Sequence, residues 1–462
     1  MIPLDYNNMM AEFVENGINS ERLENIKEKA KKAVEAVESR RKTDLGFMDL
    51  PYNQEEIIND ILKYREEMKD IEAFVVFGIG GSALGPMAVQ QALNNPYYNE
   101  LTREERGGNP RLYIIDNVDP ERLVYLFQTI DITKSLFNVI SKSGTTSETM
   151  SQFMIIKELL EKKIGKEAAK KNIVCTTDKE NGNLIKIAKE EGYKYFIIPE
   201  NVGGRFSQLT PVGLLPAAFC GIDIKRLLQG AKIIDEKCSS AEINKNPALA
   251  FAALNYLAMK DGKNIAVIMP YADSLKYMAD WYAQLWAESI GKKFDREGNI
   301  IHTGSTPVKA LGTTDQHSQL QLYSEGPNDK IIIFLGVKNY REDITIPKIY
   351  EEIPSLSFLG GHTHSKLIQT EQLATEYALL KAGKQNMTIT LESVNEESIG
   401  GLIYFFELAT AYAGEFLNIN AFDQPGVEES KNATYALFDR PGYEEKKKEI
   451  LSAPKKKLEY AI

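Results

Sequence analysis

The chain has 462 residues, 43% of them hydrophobic and 26% charged, with a formal net charge of -10 at pH 7. That length predicts two or three domains, each large enough for its own core, and the composition is that of an ordinary soluble globular protein. The acidic balance argues against a broad nucleic-acid or anionic-membrane surface, yet leaves room for a local site that takes a small anion. Cys175, Cys220 and Cys238 show no metal-ligand spacing, and so sparse and odd a set suits a reducing compartment. With Asp5, Glu12 and Glu15 and no long apolar core, the N-terminal stretch is not expected to be a signal peptide. The longest soft stretch, Pro211 to Gly221, is too short for a membrane span and is broken by Pro216. A cytoplasmic enzyme is the leading expectation.

In chain order, the Lys-, Glu- and Ala-rich stretch from Ser20 to Arg41 predicts a solvated helix with Ile26, Ala30, Ala33 and Val37 as its apolar stripe. Phe74-Val75-Val76-Phe77 predicts a strand buried on both faces, running into the glycine-rich turn Gly78 to Pro86. Its spacing Gly78-x-Gly80-x-x-Ala83 is a weak match to a dinucleotide fingerprint, and Asp116 lies too far on for the usual ribose-binding acid. Strands follow at Leu112–Ile115, Leu136–Ile140, Asn172–Thr176 and Tyr195–Ile198, with helices at Asp119-Pro120-Glu121, from Met150 to Leu160 and near Leu184 to Glu190. The pattern resumes with strands at Asn264–Met269, Ile331–Leu335 and Met387–Leu391 and helices near 275–290, 363–382 and 396–416, and a charged helix is expected from Tyr443 to Leu458. Such alternation predicts an α/β fold of doubly wound, mainly parallel sheets with helices on both faces. The expected layout is a helical N-terminal segment (1–69), a first α/β domain (70–200), a connecting segment (201–247), a second α/β domain (248–416) and a C-terminal helical segment (417–462).

Chemistry concentrates in a few stretches. Between the strand ending at Ile140 and the helix after it stands Ser141-Lys142-Ser143-Gly144-Thr145-Thr146-Ser147-Glu148-Thr149, with six hydroxyls in nine residues. A strand-to-helix turn offers free N–H groups, so this stretch predicts a phosphate site that needs no metal. Gly203-Gly204-Arg205-Phe206-Ser207 can bend the backbone and deliver a permanently charged guanidinium to a developing oxyanion. Gln284 and Glu288 share a helix face, near Trp281, Leu285 and Trp286, where an apolar setting would suit a general base. His362-x-His364 lacks further ligands at metal spacing, and no metal is expected. His317 sits in polar company, and Lys431 follows the turn at Pro425-Gly426. Taken singly, each has an ordinary surface explanation.

Taken in order, Gly78–Pro86, Ser141–Thr149, Gly203–Ser207, Gln284–Lys292, Leu311–Gln319 and Phe422–Lys431 closely resemble the phosphoglucose isomerase family, of the two-domain sugar-isomerase type. The resemblance runs over about residues 70 to 435, and the length is similar to that of the family's shorter bacterial branch. It implies two sugar-isomerase α/β sandwich domains and the interconversion of glucose 6-phosphate and fructose 6-phosphate through ring opening and a cis-enediol, with no cofactor. It implies that Ser141, Ser143, Thr146, Thr149 and the backbone of Lys142 hold the phosphate, while Gly81, Ser82 and Gln284 line the sugar end. Glu288 is then the base, Arg205 the enediolate stabiliser, and His317 the ring-opening histidine donated by the second subunit of a homodimer, with Lys431 as its partner. The chain departs from the family pattern at Ala83 and at Ser143-Gly144, and Gln284 leans towards glucose 6-phosphate over mannose 6-phosphate. Aldose–ketose isomerisation needs an open-chain sugar, one carboxylate base and an oxyanion stabiliser, which this set supplies. An aminosugar synthase on the same fold would need a nucleophilic N-terminal cysteine, and no cysteine precedes Cys175.

Overall fold

The computed structural model describes residues 2–461. Strands β1 (Leu4–Asp5), β2 (Ala73–Phe77), β3 (Arg111–Ile115), β4 (Ser135–Ile140), β5 (Ile173–Thr177), β6 (Lys194–Ile197), β7 (Ile265–Pro270), β8 (Lys292–Phe294), β9 (Ile300–Thr303), β10 (Thr306–Lys309), β11 (Lys330–Asn339) and β12 (Asn386–Ser393) build two five-stranded sheets and a small hairpin. The first sheet has the order β3-β2-β4-β5-β6 and is parallel throughout. The second has the order β1-β12-β11-β7-β10, with only β1 antiparallel. The expected α/β class with mainly parallel sheets is what the chain adopts.

Period-two alternation explains the layers. Phe74 and Val76 of β2 point into the largest core cluster, while Val75 and Phe77 point into a second one on the opposite face. In the other sheet Ala266 and Ile268 of β7 join that same largest cluster, and Val267 and Met269 face a third. One continuous core therefore lies between the sheets, and each sheet is covered again on its outer face, which is why its strands read as unbroken apolar runs. Residues 201–247, expected to connect the two units, contribute to this shared core. The helix Pro211–Phe219 is buried along its whole length, started by the Thr210 hydroxyl on Val212 N–H and by Pro211 at the first position. The helix Glu396–Leu417, opened by a capping box between Asn395 and Ser398, crosses the same core. At its middle Glu407 is fully buried, with neither carboxylate oxygen hydrogen-bonded.

Several expectations shift. The solvated helix near residues 20–41 is two, Ser20–Asn25 and Lys27–Ser39, meeting at Ile26. The charged C-terminal helix spans Glu444–Ser452 and does not reach Leu458: Pro454 bars the helical conformation at Ala453, which is extended at ψ 152°. β1, β10 and the β8–β9 hairpin were not expected at all.

In both sheets the chain lays one strand on one side of its starting strand and then crosses to the other. The switch points fall between β2 and β4 and between β7 and β11. After β4 the chain enters the helix Ser147–Ile164, and after β11 it passes through the short helix Pro354–Ser357 into the helix His364–Lys381. The latter begins under Asp343, whose carboxylate accepts Ser365 N–H at 3.0 Å and the Ser365 hydroxyl. Those hydrogen bonds hold the Asp343 carboxyl down at about 2.

Candidate active site

Phe77 of β2 pairs with Val139 of β4, so the loops after these strands leave the first sheet side by side at its switch point, where ligands of open α/β sheets bind. The loop after β4 is drawn into a tight cradle. Gly144 N–H donates to Ser141 Oγ at 3.0 Å, Ser141 and Thr146 hydroxyls pair at 3.1 Å, and those of Ser143 and Thr145 at 2.8 Å. Gly144 has φ +62°, and a Cβ there would lie 2.1 Å from Leu184 N, so only glycine closes the loop at this point. Thr146 caps the following helix without a side-chain bond to it, which leaves the N–H groups of the first turn without intrahelical partners. Thr149 is buried there with its hydroxyl unpaired. Hydroxyls, open amides and a helix N-terminus together make this loop the candidate anion receptor.

The loop after β2 opens the helix Gly81–Leu93, and three separate segments meet on it. A Cβ on Gly81 would stand 2.2 Å from Gly204 O and 2.9 Å from Arg205 N, so the two backbones touch only because the side chain is missing. A Cβ on Gly80 would meet Gln284 Nε2 at 2.8 Å. Gln284 Nε2 in turn donates to Glu288 Oε1 at 3.0 Å, one turn along the helix Lys276–Ile290, and Arg205 Nη1 lies 3.4 Å from Glu288 Oε2. Gly81, Arg205, Gln284 and Glu288 are thus brought together into one constellation. The surroundings of Glu288 differ from expectation, however. Trp281, Leu285 and Trp286 are sunk in the core, and the carboxylate, about a third exposed, is held by an amide and a guanidinium.

Arg205 is 3% exposed. Its Nε donates to Ser289 Oγ at 2.7 Å, Nη1 to Gln424 Oε1 at 2.6 Å, and Nη2 to the carbonyls of Ala421 and Asp423. Burial pulls its pKa below the ordinary value, while Glu288 and Asp423 oppose the pull. Lys292 sits behind them, donating to the carbonyls of Glu288 and Asp423, its pKa also lowered by burial. Sequence reasoning missed Ser289, Lys292 and Gln424 as supports. Their nearness to Glu288 and to Pro425 was the available signal, but nothing local shows that all three converge on one arginine.

The family comparison settles the lineage. Residues 63–453 match the family described as phosphoglucose isomerase. The chain belongs to the phosphoglucose isomerase family. A curated glucose-6-phosphate isomerase of Carboxydothermus hydrogenoformans is 52% identical over 457 residues, covering 98% of each chain. One of Rubrobacter xylanophilus is 42% identical, covering 94% of this chain and 97% of its own. Among solved structures, a hypothetical protein of Thermus thermophilus superposes with a TM-score of 0.85 at 36% identity, covering 95% of this chain and 100% of its own. A glucose-6-phosphate isomerase of Chlamydia trachomatis gives a TM-score of 0.81 at 20% identity, covering 98% and 92%, and bears on the fold alone.

Within this phosphoglucose isomerase fold, two residues singled out from sequence stand apart from the constellation. His317 is exposed at the end of the short turn Thr314–His317, beyond β10, and is not among the partners of Glu288 or Arg205. Lys431 lies on the exposed helix Glu428–Leu437, paired with Glu428 at 2.8 Å, and that helix reaches the anion receptor through Tyr435 Oη, 3.5 Å from Thr145 O. Ser82, in the first turn of its helix, is half-buried. Asp116, at the end of β3, is ion-paired with Arg122 at 2.5 Å.

Proposed function

We propose that this cleft interconverts D-glucose 6-phosphate and D-fructose 6-phosphate in glycolysis and gluconeogenesis, and that its side chains divide the work as follows. The observation that supports this most strongly is the convergence of Glu288, Gln284 and Arg205 on Gly80-Gly81, beside an anion receptor on the same sheet edge. The sugar phosphate lies with its phosphate on Ser141, Ser143, Thr146, Thr149 and the Lys142 backbone, and its carbon chain along Gly81, Ser82 and Gln284. Phosphate binding then holds C1 and C2 in register with Glu288, so remote binding energy acts at the reacting carbons.

His317 and Lys431 open the ring. In the open-chain aldose, Glu288 removes the C2 proton, and the electron pair moves into the C1–C2 bond as charge collects on O1. Arg205, its charge fixed in a water-poor setting, stabilises that oxyanion. A proton passes from the C2 hydroxyl to O1, and Glu288 returns its proton to C1, giving the ketose. Protons and electrons balance within substrate and carboxylate, with no redox partner.

His317 is exposed and is not among the hydrogen-bond partners of Glu288 or Arg205, in keeping with a homodimer in which each subunit donates His317 to the other's cleft. The loop 340–363 bears exposed Ile344, Ile349, Tyr350 and Phe358, apolar surface of the kind a second copy covers. We place the protein in the cytoplasm, in keeping with three buried free cysteines. We take 70–200 and 248–416 as its two sugar-isomerase units.

The test is fructose 6-phosphate conversion, with chelator present, for wild type and Glu288→Gln. Loss of a positioned base lowers the rate by about 10²–10⁴-fold, and inorganic phosphate binding stays intact. Conversion that survives the substitution would place the base elsewhere.

A further inference from the structure

The side chain of Lys142 stands in the middle of the anion receptor, yet it is turned away from the loop's hydroxyls. Its Nζ donates to three backbone carbonyls, Glu200 O at 2.7 Å, Val202 O at 3.0 Å and Pro199 O at 3.3 Å. An ammonium has three protons, and all three are engaged. Burial lowers its pKa, and Asp178 and Glu200 counter that. The segment it grips, residues 199–202, leads directly into Gly203-Gly204-Arg205. The segment's other ties run elsewhere, from Ile198 N–H to Thr177 O at 2.8 Å and from Gly46 N–H to Asn201 O at 3.1 Å. Thr177 Oγ1 also donates to Ser141 O at 2.8 Å, so the two stretches are stitched from both sides.

We propose that Lys142 is a positioning residue: its ammonium binds no phosphate but fastens the phosphate-binding loop to the turn that aims Arg205. The loop, Lys142, the carbonyls of 199–202 and the Gly81-packed turn at 204–205 form one mechanical path from the substrate's phosphate to the guanidinium beside Glu288. This rests on the isomerase reading above. It adds the route by which a filled phosphate site sets the geometry at C1 and C2. A lysine that bound phosphate would instead hold its ammonium free towards the hydroxyls of Ser143 and Thr145.

The experiment compares wild type, Lys142→Met and Lys142→Arg in two measurements. One is the dissociation constant for inorganic phosphate. The other is kcat and KM for fructose 6-phosphate. Misplacing a reacting group by an ångström costs on the order of 10²-fold in rate. Lys142→Met is therefore expected to lose kcat on that scale while its phosphate affinity stays within about threefold. Lys142→Arg, which can still donate to the carbonyls, is expected to recover most of the rate. Losing a charge-assisted bond to phosphate would weaken affinity by about tenfold or more. That loss, with kcat at saturation preserved, would overturn the proposal, as would full activity in Lys142→Met.

Amide hydrogen exchange on the wild type gives a second readout that needs no variant. Inorganic phosphate is expected to slow exchange at Val202 to Arg205 as well as in the loop. Protection confined to the loop would overturn the coupling even if Lys142→Met failed to fold. A wild type that does not convert fructose 6-phosphate would instead remove the isomerase reading, and the exchange result would stand separately.

Discussion

Adding one methyl group at Gly81 probes how tightly the site is assembled. A Cβ there would lie 2.2 Å from Gly204 O, 2.5 Å from Gly204 C and 2.9 Å from Arg205 N. All three are backbone atoms, so no rotamer change relieves the contact. The helix Gly81–Leu93 and the turn carrying Arg205 must move apart. Overpacking of this kind costs about 1–3 kcal/mol. If the strain is relieved by displacing Arg205 from Glu288, then at about 1.36 kcal/mol per tenfold the rate falls by about 5- to 150-fold. A coupled assay of fructose 6-phosphate conversion, run beside a thermal melt, reads both effects. Gly81→Ala should lower kcat and the melting temperature while inorganic phosphate still binds, since the anion receptor belongs to another loop. Gly203→Ala, whose Cβ would meet nothing nearer than Phe206 at 3.8 Å, should keep the wild-type melting temperature. Wild-type kcat and stability in Gly81→Ala would refute the reasoning, because the turn would then be free to move without consequence.

Two further outcomes are expected. Burial holds the Glu407 carboxyl well above its ordinary value of 4.5, so the folded protein keeps a proton that the unfolded chain releases as pH rises past that value. Stability is therefore fullest below the ordinary value and declines with rising pH, by up to about 1.4 kcal/mol per pH unit, until the folded group itself ionises. Glu407→Gln should gain over wild type in urea melts as pH rises from about 5 to 8, and a difference constant across that range would contradict the assignment. For the subunit-shared site, co-expressed Glu288→Gln and His317→Ala chains should regain about a quarter of wild-type activity, because half of the random dimers carry one intact site. If the mixture stays as inactive as either variant alone, His317 serves its own chain or none.

Strands covered on both faces were legible because burial on each side leaves no polar positions, as in Phe74-Val75-Val76-Phe77. β10 was not. It is Thr306-Pro307-Val308-Lys309, and its proline is tolerated because this edge strand pairs with β7 alone. β1, two residues long, carries no period to read, and its partner β12 lies nearly 400 residues on. At the site, Arg205 and Glu288 could be picked out because glycines precede the one and a helical glutamine partner precedes the other. The ring of acceptors around Arg205 could not, since Ser289, Ala421, Asp423 and Gln424 meet only after the chain has folded. The apolar setting expected for Glu288 failed for a related reason: tryptophans adjacent in sequence turned to the core, and a distant arginine became the neighbour instead.

The shared winding order of the two sheets has a consequence for stoichiometry. A long helix follows the strand beyond the switch point in each sheet, directly after β4 and at a remove after β11, and the N-terminus of either could seat an anion. At the helix after β11 that seat is already taken by the Asp343 carboxylate, which occupies Ser365 N–H and its hydroxyl. The protein carries its own counter-anion on this half, while on the other half no carboxylate is bonded to the hydroxyls of Ser141, Ser143, Thr145 and Thr146, which pair with one another. A chain with two like halves should therefore titrate with a single equivalent of sugar phosphate, always bound in the same orientation.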